Sequence, residues 1–333
     1  MNKENIRQLF DDFSKLNVLI IGDVMLDEYI IGDVNRISPE APVPIVNITS
    51  RYARLGGAAN VALNIKSLGA KPVLCSVIGT EQKSNDFITI MQQENLPVCG
   101  IIHSNDRILT TKYRAIGNNM QLLRLDNEIT YPLSPNDEQH FYDALLSILN
   151  TQRIDAIIFE DYDKGVITNS LIHKMVALAN EKSILISTDP KKRNFLAYNH
   201  IDLFKPNWKE LCEGLQLEKC SWQDSYLSEK MKQFMIDRQH KRVLLTLSGD
   251  GVVIYQYENE KFNYTHIPAQ VRNIADVSGA GDTVISVATL CMALGMEIKD
   301  IALISNLAGG LVCEEVGVVA INNEKLLKEL LNN

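Results

Sequence analysis

The chain has 333 residues, 46% of them hydrophobic and 22% charged, with a formal net charge of −8. That is enough apolar mass for one large or two modest cores. The acidic balance argues against a nucleic-acid or anionic-membrane partner, while leaving room for a local basic pocket.

Six cysteines (Cys75, Cys99, Cys212, Cys220, Cys291, Cys313) are scattered without a C-x-x-C pair, and the six histidines are dispersed. Reduced, largely buried thiols are expected, and no zinc site. The opening "MNKENIRQLFDDFSKL" reads as a charged amphipathic helix with no apolar signal core. No apolar run approaches the length of a membrane span. A cytoplasmic protein is expected.

"NVLIIG" (17–22) is a short apolar run closed by glycine, the mark of a buried strand. "GGAANVALNIKSLGA" follows as a helix bounded by glycines, then "KPVLCSVIG" as a second buried strand. "IDAIIFED", "SILIST" and "RVLLTLSGDG" repeat the pattern, with helical stretches around 169–180, 207–215 and 221–239. Buried strands alternating with helices predict an α/β fold: three layers, α/β/α, around a mostly parallel sheet.

Two segments break the rhythm. "DEYIIGDVNRISPEAPVPIVNI" (27–48) is rich in β-type residues and proline, and "TTKYRAIGNNMQLLRLDNE" (110–128) reads as a hairpin turning at Gly117-Asn118-Asn119. Together, as segments of about 28–50 and 108–128, they predict a small projecting sheet, or lid. Its apolar face needs a cover, either substrate or a second subunit. With no linker or repeat, a single domain over 1–333 carrying this lid is expected.

The run "DVSGAGDTVISVA" (276–288) crowds Gly279, Ala280 and Gly281 against Asp282 at the mouth of a helix. Small residues there let a phosphoryl group reach unpaired amides and the positive end of the helix dipole. Two readings of Asp282 stand at this point. It either removes a proton from an attacking hydroxyl or merely caps the helix. G-x-x-x-x-G-K-[ST] is absent, and no G-x-G-x-x-G follows the first strand, so nicotinamide chemistry lacks support.

Upstream, "ARLGGAANVALNIKSLGA" sets Gly56 and Gly57 before a helix carrying Asn60. This ordered pair of motifs resembles the PfkB/ribokinase family of sugar and nucleoside kinases, and the resemblance runs from Asn17 to about Glu324. It implies a ribokinase-like fold, a catalytic Asp282 with Gly279, Ala280 and Gly281 as anion hole, and a sugar site at Gly56, Gly57, Asn60 and Asp27, with Asp23 assisting. "FKPNWKE" matches the family's N-x-x-E element, which implies Asn207, Trp208, Lys209 and Glu210 beside ATP, with Glu210 holding Mg²⁺ through water. A plain capping box would use the same Asn207 and Glu210. The resemblance further implies nucleotide contacts at Thr246, Gly249, Gly251 and Asn306. A monovalent-cation site near Asp276 is also implied, although Val277 and Ser278 replace the usual threonines.

Within the family, "GDVMLDEY", "RISPEAPVPIV", "TTKYR", "QLLRLD" and "DYDKG" resemble a branch that phosphorylates the C1 hydroxyl of a phosphosugar. Many bacterial members of that branch carry a fused nucleotidyltransferase domain, which is not expected in 333 residues. The branch implies substrate contacts from Arg114, Gln121, Asp161, Lys164, Asp189 and Lys191, with Lys112 and Arg124 also basic on the lid hairpin. Lys192 and Arg193 read as solvated surface. A lid-mediated homodimer is implied as well. Rival readings are a kinase for another sugar and a non-catalytic sensor; Asp282, Asn207 and Glu210 together argue against the sensor.

Overall fold

The computed structural model describes residues 3–118, 120–218 and 220–332. Among them, thirteen strands form two sheets. After helix α1 (Lys3–Phe13), β1 (Asn17–Gly22) enters the centre of the larger sheet. The chain then leaves it as two long strands, β2 (Val24–Ile37) and β3 (Pro44–Gly57). Helix α2 (Ala58–Ser67), β4 (Lys71–Ile78), α3 (Gln82–Gln93) and β5 (Gly100–His103) return to the body. The hairpin β6 (Thr110–Gly117) and β7 (Met120–Asn127) goes out again.

The second half alternates as the apolar runs predict: α4 (Pro135–Thr151), β8 (Ala156–Glu160), α5 (Asn169–Glu181), β9 (Leu185–Asp189), β10 (Leu203–Phe204), α6 (Trp208–Gly214), α7 (Ser225–Arg238) and β11 (Arg242–Thr246). It closes with β12 (Val252–Glu258), β13 (Lys261–Ile267), α8 (Ala280–Ala293), α9 (Ile298–Val312) and α10 (Asn323–Asn332).

The larger sheet has the order β13-β12-β11-β10-β9-β8-β1-β4-β5, parallel from β11 to β5 and antiparallel at the β12 and β13 edge. Strand alternation divides its side chains between two cores. Val18 and Ile20 of β1 pack with α1, α2, α8 and α9, while Leu19 and Ile21 face α4, α5 and α7. The three-layer reading therefore holds. Helix α8 lies so deep that every residue from Asp282 to Met292 is buried, which explains why its sequence is apolar all round.

The smaller sheet, β3-β2-β6-β7, is the expected excursion, with β2 and β6 parallel and the other pairs antiparallel. Its strands start closer to the body than the sequence suggests. β2 begins at Val24 because only Asp23 interrupts it after β1, and its first residues are buried with Leu55 in the core. The expected turn at Gly117-Asn118-Asn119 includes Asn119, which lies outside the described residues. All six cysteines are free thiols, and Cys75, Cys291 and Cys313 are buried. Among the described residues, no helix is long and apolar enough to cross a membrane.

Candidate active site

Asp23, Glu160, Asp161, Asp189, Lys205 and Asn207 all stand at or just beyond the C-terminal ends of parallel strands. That edge is where open α/β sheets gather ligands. The start of α8 is aimed into it.

Gly279 adopts the left-handed conformation (φ 82°), and a Cβ there would lie 2.8 Å from Asn60 Nδ2. Among the described residues, no side chain caps α8, so its first-turn amides suit an anion. One turn in, Asp282 is buried and held at both oxygens. Asn60 Nδ2 donates to Oδ2 at 2.7 Å, and the Tyr162 hydroxyl donates to Oδ1 at 2.8 Å. Burial nevertheless outweighs these two bonds and pushes the Asp282 carboxyl up to about 6. Among the described residues neither oxygen accepts from a backbone amide; both are held by side chains.

Beside it, carboxylate oxygens of Glu160, Asp189 and Asp282 lie within 4.8 Å of one another, all buried. Two lysines offset this charge. Lys205, itself buried, reaches Asp189 Oδ2 at 2.7 Å, and Lys191 reaches Asp189 Oδ1 at 3.2 Å and Glu210 Oε1 at 2.6 Å. Burial alone would raise Asp189, but the two ammonium groups win and hold it below its ordinary value. Glu160 feels the same two lysines only at a distance, and both its oxygens are without a hydrogen-bond partner among the described residues. Burial, with repulsion from Asp189 and Asp282, pushes its carboxyl well above the usual range.

The nucleotide residues expected from sequence meet around a cavity of 870 Å³, within the usual span for a small-molecule site. Asn207, Trp208, Lys209, Thr246, Gly249, Gly251 and Asn306 line it together with Ala280 and Gly281. Val271, Ile274 and Leu307 add apolar wall. Asn207 caps α6 in a full capping box with Glu210, whose remaining oxygen meets Lys191. The capping reading of this motif is thus realised; Glu210 itself does not line the cavity and is joined to the carboxylate cluster through Lys191.

The expected sugar residues divide into two groups. Asp27 is buried in an ion pair with Arg114, and a Cβ on Gly56 would lie 2.3 Å from its Oδ2, so the glycine lets that carboxylate sit flush against β3. Gly57 (φ 61°) turns the chain into α2 and delivers Asn60. The other group does different work in this structure. Asp23 accepts from the amides of Tyr162, Lys164 and Val166, at 2.8, 3.1 and 3.0 Å, and so shapes the loop that presents Tyr162. Asp161 is held in a buried knot with Asn194 and Tyr198, where burial pushes its carboxyl up to about 7. Lys164 pairs with Glu128 at 2.8 Å. Gln121 is exposed on the outer strand β7. Near Asp276, the carboxylate accepts from the amides of Ser278 and Gly317, at 2.9 and 3.0 Å, which ties the two loops that flank the helix start.

Sequence reading missed Glu160, Tyr162 and Lys205. The available signal was position: each stands at a strand end or immediately after one.

A family model described as pfkB family carbohydrate kinase matches residues 15–325. The bifunctional protein HldE of Helicobacter pylori (strain HPAG1) is 36% identical over 309 residues, covering 93% of this chain and 65% of that protein. The Geobacter sulfurreducens bifunctional protein HldE is 30% identical over 332 residues, 99% of this chain and 66% of the relative. The chain therefore spans about two thirds of the length of these relatives. Phosphofructokinase-2 from Escherichia coli in complex with fructose-6-phosphate superposes with a TM-score of 0.75 at 17% identity, covering 95% of this chain and 99% of that one. Arabidopsis thaliana ribokinase complexed with ribose and ATP gives 0.69 at 15%, covering 96% and 99%. The fold is ribokinase-like, and the chain belongs to the pfkB family of carbohydrate kinases, phosphotransferases with an alcohol acceptor.

Proposed function

We propose that this kinase transfers the γ-phosphoryl of ATP to the C1 hydroxyl of D-glycero-β-D-manno-heptose 7-phosphate, giving the 1,7-bisphosphate used in ADP-heptose and lipopolysaccharide core synthesis. The observation that carries the phosphoryl-transfer chemistry is Asp282, buried at an uncapped helix start with its carboxylate aimed by Asn60 and Tyr162. Choice of this sugar is supported by the likeness to the HldE proteins, whose kinase part acts on heptose 7-phosphate, across nearly the whole chain. A cytoplasmic location fits such a reaction.

In this reading the acceptor hydroxyl approaches Asp282, which takes its proton as the oxygen attacks phosphorus. Asn60 keeps one carboxylate oxygen fixed. Tyr162, whose hydroxyl burial raises well above its ordinary value, stays protonated and fixes the other. The amides from Gly279 to Asp282 stabilise charge on the transferring group, aided by the helix dipole. Lys205 and Lys191 offset the carboxylates that would otherwise repel phosphate.

Glu210, Asp189 and Glu160 would hold Mg²⁺, which would supply charge neutralisation for the ATP phosphates. The donor set fits a hard cation: Glu210 through water, with Asp189 and the two orphaned oxygens of Glu160 nearby.

In this reading Lys112, Lys164 and Arg124 would exchange their present carboxylate partners, Asp126 and Glu128, for the far-end phosphate. Lys112 is held below its ordinary value, first by burial, with neighbouring Lys164 and Arg124 adding repulsion against the pull of Asp126 and Glu128. Crowded cations of this kind favour an anion between them. We further propose that a second copy covers the smaller sheet, which exposes Ile48, Met120, Leu123 and Leu125; a monomer by light scattering at working concentration would sink that dimer.

The test is ADP release with ATP·Mg²⁺ across heptose 7-phosphate, fructose 6-phosphate, ribose and no acceptor. Selective turnover with the heptose phosphate and recovery of a 1,7-bisphosphate is expected. Preference for another acceptor would keep the chemistry and remove the assigned sugar.

A further inference from the structure

The smaller sheet and the phosphoryl site are joined by one arginine. Arg54 stands opposite Asp27 in the β2–β3 register, two residues before the Gly56-Gly57 pair. As cross-strand partners the two side chains share one face of the sheet. Arg54 Nη1 donates to the carbonyls of Val316 and Val318, at 2.9 and 3.0 Å, across more than 260 residues of chain. Its guanidinium lies over the rings of Tyr29 and Tyr52, at 5.7 and 5.3 Å. Those rings are themselves stacked 4.8 Å apart. On the same Tyr29 ring rests the guanidinium of Arg114, at 5.3 Å, the partner of Asp27.

The loop that Arg54 grips leads directly to the anion hole. Between its two carbonyls, Gly317 (φ 76°) donates from its amide to Asp276 Oδ2 at 3.0 Å. Asp276 in turn accepts from Ser278, and Gly279 follows as the first residue of the helix start. Val318 also lies against Gly279: a Cβ there would come within 3.3 Å of Val318 Cγ1. Gly317 admits no side chain, since a Cβ would lie 2.8 Å from the Tyr29 hydroxyl and 3.0 Å from Arg54. The contacts therefore run unbroken from Asp27 and Arg114, through Tyr29 and Arg54, to Gly317, Asp276 and the Gly279 amide. A carbonyl pair facing a fixed cation, clamped by aromatic faces, has one low-energy arrangement.

The geometry points to Arg54 as a positioning residue that makes the anion hole depend on the sheet carrying the acceptor. Its guanidinium is committed to the Val316 and Val318 carbonyls and to the two tyrosine rings. It holds the 316–318 loop, and with it Asp276 and Gly279, in register with β2 and β3, so that ordering those strands around an acceptor also orders the amides that receive the phosphoryl group. The inference rests on the reading of Gly279–Asp282 as the phosphoryl site and is independent of which sugar is used.

The experiment is a double-mutant cycle on ADP release with ATP·Mg²⁺ and whichever sugar of the acceptor panel the native chain turns over, using Arg54→Ala, Asp276→Asn and the pair. Arg54→Ala should lower kcat about tenfold, in the range found for couplings through packed networks, while the KM for ATP changes less than twofold. The pair should lose no more than the worse single variant, because both break one chain of contacts. Arg54→Lys, which keeps a donor for the carbonyls, should recover part of the turnover, and the melting temperature of each variant verifies folding. Losses that multiply in the pair, or a kcat unchanged in a folded Arg54→Ala, would overturn the proposal. An Asp282→Asn variant retaining full turnover would instead fault the phosphoryl-site reading beneath it.

Discussion

Asn60 Nδ2 donates to Asp282 Oδ2 at 2.7 Å, joining the first turn of α2 to the first turn of α8 across 222 positions of sequence. The two glycine-rich motifs are thus two halves of one site. One turns the chain with Gly57 to present an amide donor; the other turns it with Gly279 to present the carboxylate that the donor aims. This bond favours the ionised form of Asp282. Asn60→Ala should therefore move the acid limb of the pH–rate profile upward as well as lower kcat; a limb that stays in place would show that the bond does not govern the carboxylate.

The acid limb itself is a prediction. Burial raises Asp282 from 3.8 to about 6 in the folded chain, and a base must be ionised to act. Turnover should fall below about pH 6, with kcat measured at saturating substrates so that binding does not contribute. A profile flat to pH 5 would contradict the assignment.

Gly279→Ala should fold but work poorly. A left-handed residue with a Cβ costs on the order of 1–2 kcal/mol, and this Cβ would displace Asn60 Nδ2. Turnover should drop at least tenfold, about the worth of one hydrogen bond to a charged group. A melting temperature lowered by a few degrees with activity intact would mean that Asn60 has another way to reach Asp282.

Glu160→Gln tests the buried carboxylate that the sequence did not flag. Glu160 is fully buried, its oxygens have no hydrogen-bond partner among the described residues, and the charges of Asp189 and Asp282 oppose its ionisation. Its carboxyl sits well above the usual range, so ionising it costs the folded state more than the unfolded one. The sign follows: stability is lost as pH rises above the unfolded value near 4.5. The glutamine variant should melt higher than the native chain at pH 8. A variant that melts lower would contradict the claim that the buried Glu160 carboxyl destabilises the folded chain at this pH.

Much of this was legible in the sequence, for physical reasons. Buried strands announce themselves as apolar runs, and β1, β4, β8, β9 and β11 all fall where those runs stand. The glycine motifs were legible because only glycine tolerates Gly57 and Gly279, both at positive φ. Glu160 and Asp161 were harder. Adjacent strand residues point to opposite sides of a sheet, and no sequence feature says which of two neighbouring acids faces α8. Asp161, expected as a sugar contact, is tied to Asn194 and Tyr198, and Glu160 is the acid brought to Asp282. Arg54 was invisible for a different reason. Its partners are backbone carbonyls of Val316 and Val318, which carry no side-chain signature.

The most direct test of the central claim is single-turnover phosphoryl transfer by Asp282→Asn beside the native chain. Asparagine keeps an acceptor for Asn60 and a partner for Tyr162, so the fold and ATP affinity should survive. The melting temperature at pH 8 should not fall, because a costly buried charge is gone. The account predicts a transfer rate reduced by a factor on the order of 10²–10⁴. Transfer at near the native rate, in a folded variant that still binds ATP, would contradict it.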